Sequence, residues 1–262
     1  MINARSALFI STLNEIEALP KQFPRIPMSA FDEVYALDGG STDGTLEFYE
    51  KNGIEVVKPV KKGAIFNAGA MTTECEYLVF FAPDGNENPD DTVRLLNGLK
   101  DGSDMVIASR FMVGGKNEDD RYVFRWRKWV SWIFNLLVRF RWGGHITDTI
   151  NGFRAVRRSK LIEMNPEPTG FDIEFQMSIR ALKLGHKVSE IATIERDRLG
   201  GKSVAYSLPT GWLILKRYLK EFFTGVEPTR DGKLKTTLNG SFRPHECRPR
   251  GVIDITVRPR TP

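Results

Sequence analysis

The chain has 262 residues, 41% of them hydrophobic, which is enough for one substantial buried core and too apolar for a disordered polymer. Its two cysteines, Cys75 and Cys247, are too few and too far apart for a disulfide framework or a zinc site, so a reducing cytoplasm is the expected compartment. Of the net charge of +5, residues 226–262 supply +4 through eight Lys+Arg against four Asp+Glu, so the basic balance describes the tail and says little about the rest. The start, MINARSALFISTLNE, lacks the long apolar region and small-residue cleavage site of a signal peptide. No stretch approaches the roughly 18 apolar residues of a spanning helix, so a soluble or peripheral protein is expected.

In chain order, short apolar runs at Ser6–Ser11, Val34–Asp38, Ile54–Val57, Tyr77–Ala82 and Met105–Ser109 read as strands. Between them the spacing predicts helices over Glu15–Phe23, Thr45–Asn52, Ala64–Glu74 and Thr92–Lys100, with Asp43 and Asp90 as caps. Such alternation argues for a mainly parallel α/β sheet with ligands beyond the carboxyl ends of its strands. Arg121–Trp142 then carries six Arg/Lys, no acid and eight aromatics, four of them tryptophan. After a turn at Gly143–Gly144 come the segment Asp148–Arg158, a helix from about Asp172 to Leu184, an apolar run at Val188–Ile194 and an amphipathic helix over Leu208–Phe223. Residues 1–225 are expected to form the catalytic domain, and the Pro-, Gly- and Arg-rich residues 226–262 an extended or hairpin-like basic tail.

Two loops carry the chemistry. Leu37-Asp38-Gly39-Gly40-Ser41-Thr42-Asp43-Gly44-Thr45 follows a strand, where Asp38 can accept from a base edge or a ribose hydroxyl and the glycines let backbone pass close to a ligand. No G-x-G-x-x-G follows the first strand, which argues against a dinucleotide fold. At another strand end, Asp84-Gly85-Asn86 places two oxygen-bearing side chains at i and i+2, suited to one hard cation, with Glu87 next to them. His145, His186 and His245 are scattered without ligand spacing, and Cys75 reads as a packing residue.

In combination these segments resemble family 2 glycosyltransferases of the GT-A fold, with their D-D-G-S-x-D-G-T and later D-x-D segments. Leu13-Asn14-Glu15 resembles the family's Y-N-E, and Lys62-Gly63-Ala64-Ile65-Phe66-Asn67-Ala68-Gly69 its G-K-G-x-A-x-N-x-G. Ser109-Arg110-Phe111 with Gly114-Gly115 resembles S-R-Y-x-x-G-G, and Asp148-Thr149-Ile150-Asn151-Gly152-Phe153-Arg154-Ala155 resembles D-x-x-S-G-F-R-A; Gly170-Phe171-Asp172-Ile173-Glu174 opens the family's next helix. The likeness covers about residues 5–205. Gly39 and Asn86 stand where the family has second acids. The resemblance implies a Rossmann-like, mainly parallel central sheet flanked by helices. It implies a GDP- or UDP-hexose donor near Leu13, Glu15, Asp38 and Lys62, and Mg²⁺ or Mn²⁺ on Asp84 and Asn86.

Within the family the sequence resembles dolichyl-phosphate mannose synthases and their bacterial polyprenyl-phosphate relatives. This implies an acceptor phosphate held by Arg110, by Arg127 and Ser131 four apart on one helix face, and by Arg198 ahead of Gly201-Lys202-Ser203. The implied chemistry is an inverting transfer in which a dianionic phosphate needs no general base. A same-fold transferase acting on a saccharide or protein hydroxyl would instead use Asp172 or Glu174 as base. A non-catalytic nucleotide-binding relative is the other alternative.

The aromatic and basic residues of Arg121–Trp142 and Leu208–Phe223 suit a lipid headgroup region, with the enzyme peripheral on the cytoplasmic face of a membrane. A single-stranded nucleic acid would leave Asp38 and Asp84 unexplained and is not expected. The tail leaves a homo-oligomer or a membrane-anchored partner subunit open.

Overall fold

The computed structural model describes residues 4–58, 60, 62–116, 126–167, 170–200, 207–226 and 253–254. Eight strands form one sheet in the order β7-β5-β6-β4-β1-β2-β3-β8. They are β1 (Ser6–Thr12), β2 (Glu33–Asp38), β3 (Glu55–Lys58), β4 (Tyr77–Phe81), β5 (Met105–Ser109), β6 (Arg154–Arg157), β7 (Val188–Ala192) and β8 (Ile253–Asp254). β6 runs antiparallel to both β4 and β5, and every other pairing is parallel. The five strands read from the apolar runs are all present. β6 is not among them, because only four residues of the Asp148–Arg158 segment extend and the sheet, not the local pattern, selects them.

β1 is apolar on both faces because helices cover both sides of the sheet. Ala7 and Phe9 face one core with Phe66, Phe80, Ile173 and Met177; Leu8 and Ile10 face the other with Tyr49, Val79, Leu95 and Leu99. The helices are α1 (Leu19–Gln22), α2 (Thr45–Lys51), α3 (Ile65–Thr72), α4 (Asp91–Lys100), α5 (Trp126–Trp142), α6 (Arg158–Met164), α7 (Ile173–Lys183) and α8 (Ser207–Phe223). α5, α7 and α8 share a third core of Phe134, Val138, Phe175, Ile179 and Ile214.

Two expectations need correction. The helix over Glu15–Phe23 shrinks to α1 and a following 3₁₀ turn, Phe23–Arg25: Pro20 lies in the first turn of α1 and Pro24 in that of the 3₁₀ turn, and neither has an amide for a helical ladder. Asp90 stands at the N-cap of α4 but its side chain bonds no amide there; Thr92 Oγ1 donates to the Pro89 carbonyl, and Asp91 binds Arg94 and Thr193 instead. Asp43 does cap its helix from one residue further out, accepting the Thr45 amide at 3.1 Å. The tail beyond residue 226 lies outside the described residues except for β8, which pairs with the outer edge of β3.

Arg154 is fully buried between β6 and α7, where burial pulls its pKa down to about 10. Its guanidinium donates to the carbonyls of Asn151 and Glu174 and to Ser178 Oγ, so the motif's arginine is a structural tie.

Gly69 on α3 sits against the aromatic stack of Phe9 and Phe80. A Cβ there would lie 2.8 Å from Phe80 Cε1 and 2.9 Å from its Cζ. Helix propensity would favour Gly69→Ala by about 1 kcal/mol, but overpacking a ring held between Phe9 and Phe66 costs about 1–3 kcal/mol and wins. The variant is expected to unfold at lower urea than the parent with an unchanged m-value.

Candidate functional site

The carboxyl ends of β1, β2, β4 and β5 open on one side of the sheet, and four loops meet there. After β1, Asn14 takes a left-handed conformation (φ 58°) that lets its side chain accept the Thr42 amide at 2.9 Å. Its own amide donates to Ser41 Oγ, the Glu15 amide to Thr45 Oγ1 and the Ile16 amide to Asp43 Oδ2. The loop after β2 is thereby laced to the loop after β1.

Asp38 holds its carboxylate inside its own turn. It is fully buried, and its oxygens accept from the Gly40 amide (2.7 Å), the Ser41 amide (2.9 Å) and Ser41 Oγ (2.5 Å). It shapes the turn that Gly40, at φ 102°, makes possible. The carboxylate expected to meet a base is engaged here by the amides and hydroxyl of its own turn. Leu13 is exposed at this place. Lys62 opens the 3₁₀ turn before α3, and its side chain lies outside the described residues.

After β4, Gly85 turns at φ 94° and the Asn86 amide donates to Asp84 Oδ1 at 2.9 Å. The loop 195–200 lies across this turn. The Leu199 amide donates to the Asp84 carbonyl at 2.8 Å and the Arg196 amide to the Asn86 carbonyl at 3.0 Å. A Cβ on Gly85 would meet Leu199 Cγ at 2.5 Å, so only glycine lets the loop down. Closure delivers Arg198: its Nη2 is 3.1 Å from Glu15 Oε1 and 3.1 Å from Asp84 Oδ2. Burial raises the Glu15 pKa to about 7, with Asp84 adding to the rise and Arg198 opposing it.

A hard divalent cation fits this donor set. Asp84 and Glu15 already converge on one cationic nitrogen, and Glu15 Oε2 is buried without a hydrogen-bond partner. No group of three or more His, Cys, Asp or Glu forms a cage among the described residues. Mg²⁺ is ordinarily held in this way, by one or two carboxylates plus substrate phosphates.

Arg110 lies at the end of β5 and is not open. Nε and Nη2 grip Asp148 at 2.7 and 3.0 Å, and Nη1 reaches Glu195 at 3.1 Å. Burial alone would lower its pKa, but the two carboxylates outweigh burial and hold it above the ordinary arginine value. The guanidinium expected to hold an acceptor phosphate is held between two acids. Asp148, quoted only as part of a motif, and Glu195, which no pattern marked, are the residues that lock it. α5 places Arg127, Ser131 and Asn135 at successive i,i+4 positions; the Arg127 side chain lies outside the described residues, as do Gly201, Lys202 and Ser203. Asn135 ties that line to the Asp148 loop, accepting from the Thr149 amide and hydroxyl and donating to the Thr147 carbonyl. Cys75 is buried, with its thiol pushed up to about 11 by burial, and His186 is buried against Glu163; neither reaches the site.

Residues 8–164 match the family model for glycosyl transferase family 2. The chain is 29% identical over 227 residues to glycosyltransferase AglJ of Haloferax volcanii, covering 84% of this chain and 66% of that one. It is 30% identical over 217 residues to the undecaprenyl-phosphate mannosyltransferase of Micrococcus luteus, covering 76% and 86%. Among solved structures, glucosyl-3-phosphoglycerate synthase from Mycobacterium tuberculosis, in complex with Mn²⁺, UDP and phosphoglyceric acid, superposes with a TM-score of 0.67. That match has 20% identity and covers 84% and 79% of the two chains.

Because the Glu15 pKa stands near 7 when folded and near 4.5 when unfolded, the unfolded chain releases this proton first as pH rises. Stability from Glu15 is full below about pH 4.5 and is lost as pH rises through about 7, on the order of 1–3 kcal/mol. Glu15→Gln is expected to flatten that slope in urea unfolding measured between about pH 5 and 8.

Proposed function

The chain belongs to glycosyl transferase family 2, and from that premise we propose that it moves a hexose from a GDP- or UDP-linked donor onto a polyprenyl phosphate at the cytoplasmic face of a membrane. The observation that carries the acceptor class is the state of the two acids that could activate a hydroxyl. Asp172 is 1% exposed and accepts from Arg217 Nε at 2.6 Å, while Glu174 is 3% exposed on α7. Neither is open to take a proton from a sugar or protein hydroxyl. A phosphate monoester needs no such base, since its second pKa near 6 leaves it largely dianionic at neutral pH. It needs positive charge, and the loop carrying Arg198 brings a guanidinium for it beside Asp84. The name of the undecaprenyl-phosphate mannosyltransferase relative supports the same acceptor class.

In the transfer, one phosphate oxygen forms a bond to the anomeric carbon. The bond from that carbon to the diphosphate oxygen breaks, its electron pair leaves with the nucleoside diphosphate, and the anomeric centre inverts. Arg127, Ser131 and Arg198 hold the incoming phosphate, with Arg110 aligned beside them by Asp148 and Glu195. Leu13, Glu15 and Lys62 line the nucleoside end, over the turn that Asp38 shapes. A Mg²⁺ or Mn²⁺ on Asp84 and Asn86, with Glu15 beside them, would supply charge for the departing diphosphate when bound.

The surface supports work at a bilayer. α5 exposes Trp129, Trp132, Ile133, Leu136 and Phe140 along one stripe, and α8 exposes Trp212, Leu219, Phe222 and Phe223 with Lys216 and Lys220 nearby. No helix among the described residues is long and apolar enough to cross a membrane.

Asp84→Ala is expected to lower kcat/KM for transfer to a short polyprenyl phosphate by about 10²-fold or more, measured with labelled GDP- and UDP-hexoses and Mn²⁺. Transfer to saccharide hydroxyls with none to any lipid phosphate would overturn the acceptor class. Replacing Phe140 and Phe223 together by serine should weaken co-sedimentation with anionic vesicles about tenfold without changing the melting temperature.

A further inference from the structure

Arg110 is held by two acids that differ in how firmly the fold keeps them. Asp148 is fully buried, and its loop is tied from two sides. Glu190 on β7 accepts the Thr147 amide at 2.9 Å and the Asp148 amide at 3.0 Å, and Asn135 on α5 accepts the Thr149 amide at 3.0 Å. Asp148 takes one edge of the guanidinium, through Nε and Nη2. Glu195 takes Nη1, on the other edge, at 3.1 Å. It is the more open of the two acids, with 11% of its side chain exposed, and it begins the loop that carries Arg198. Asp148 is thus a fixed partner and Glu195 an exchangeable one.

The edge of the guanidinium that Asp148 leaves over is the one a further anion would use, and Glu195 stands on it. Whether an anion displaces Glu195 depends on charge. A phosphodiester carries one negative charge, no more than the carboxylate, and it competes with a group tethered to the protein, so the exchange gains nothing. A phosphate monoester carries almost two charges and three acceptor oxygens at neutral pH, so it gains on Arg110 and on any further arginine beside it. At a bilayer surface the surrounding headgroups are phosphodiesters, and an arginine with an open edge would bind them.

We propose that Glu195 determines specificity for the acceptor's charge: its carboxylate keeps phosphodiester headgroups off Arg110 and yields to a phosphate monoester. The proposal rests on the polyprenyl-phosphate reading given above. Glu195 discriminates by opposing the wrong anion and adds no contact to the right one. Removing its charge therefore strengthens the binding of both anions and narrows the difference between them. Asp148 keeps Arg110 in place when Glu195 leaves, so the arginine is not stranded by the exchange.

Steady-state transfer to farnesyl phosphate, with the full chain and no vesicles, is measured with dihexanoylphosphatidylglycerol, a monoanionic phosphodiester, as inhibitor. Glu195→Gln keeps an oxygen for Arg110 and loses the charge, while Glu195→Ala loses both. In each variant the inhibition constant of the diester should fall at least about fivefold, and the KM for farnesyl phosphate should fall by less. The KM for the nucleotide sugar should stay within about twofold of the wild type. A merely structural role would raise the farnesyl phosphate KM or lower kcat and leave the diester constant where it was, and that result would sink the proposal. A donor KM that fell as far as the diester constant would show a general release of the loop and would also overturn it. If the wild type transfers to no isoprenyl phosphate, the acceptor reading falls and takes this proposal with it, an outcome told apart from the others by the absence of any turnover to inhibit.

Discussion

Two carboxylates that converge in a buried place require a cation, and in this protein the cation is the guanidinium of Arg198 between Glu15 and Asp84. Burial raises the Glu15 pKa to about 7 and Asp84 adds to the rise, so losing the guanidinium that opposes both would push this acid further toward its protonated form. The bridge also organises the chain. It joins the loop after β1, the turn after β4 and the loop after β7, and the amides of Arg196 and Leu199 follow it down onto the Asp84–Asn86 turn. A divalent ion and a donor diphosphate would offer these acids and this arginine better partners than one another. In the proposed function, donor binding therefore frees Arg198 for the acceptor phosphate, which couples the two halves of the reaction through one side chain.

The layer of α5, α7 and α8 meets a different constraint. A helix that shows aromatic rings to the outside must be held by something other than those rings. α8 is held by ions: Arg217 pairs with Asp172 and Glu167, and Glu221, fully buried, takes Arg180 and Lys183. Such pairs add little net stability over an apolar core, but they fix one register, since any other would strand a buried charge. They also engage Asp172. The same network thus fixes the face that α8 turns outward and pairs off Asp172.

Much of this was legible in the residues. Continuous apolar runs identified β1 to β5, because strands buried on both faces cannot alternate. The glycines at 40 and 85 and the acids beside them marked two tight turns at strand ends, because positive φ and short polar side chains have few other uses. The short α1 was misread because helical spacing continued past prolines that the ladder could not. β6 gave no signal because its four residues are chosen by the strands on either side.

The assignment of roles was less legible. Asp38 and Arg110 look in sequence like groups offered to a ligand, and in the fold each is consumed: Asp38 by three donors of its own turn, Arg110 by Asp148 and Glu195, 38 and 85 positions away. Sequence alone determined the family and the five strands from β1 to β5, since each depends on local residue type and spacing. Tertiary structure alone decided which charges are free and which are spent, because a charge's partner is set by distance through the fold and not by distance along the chain.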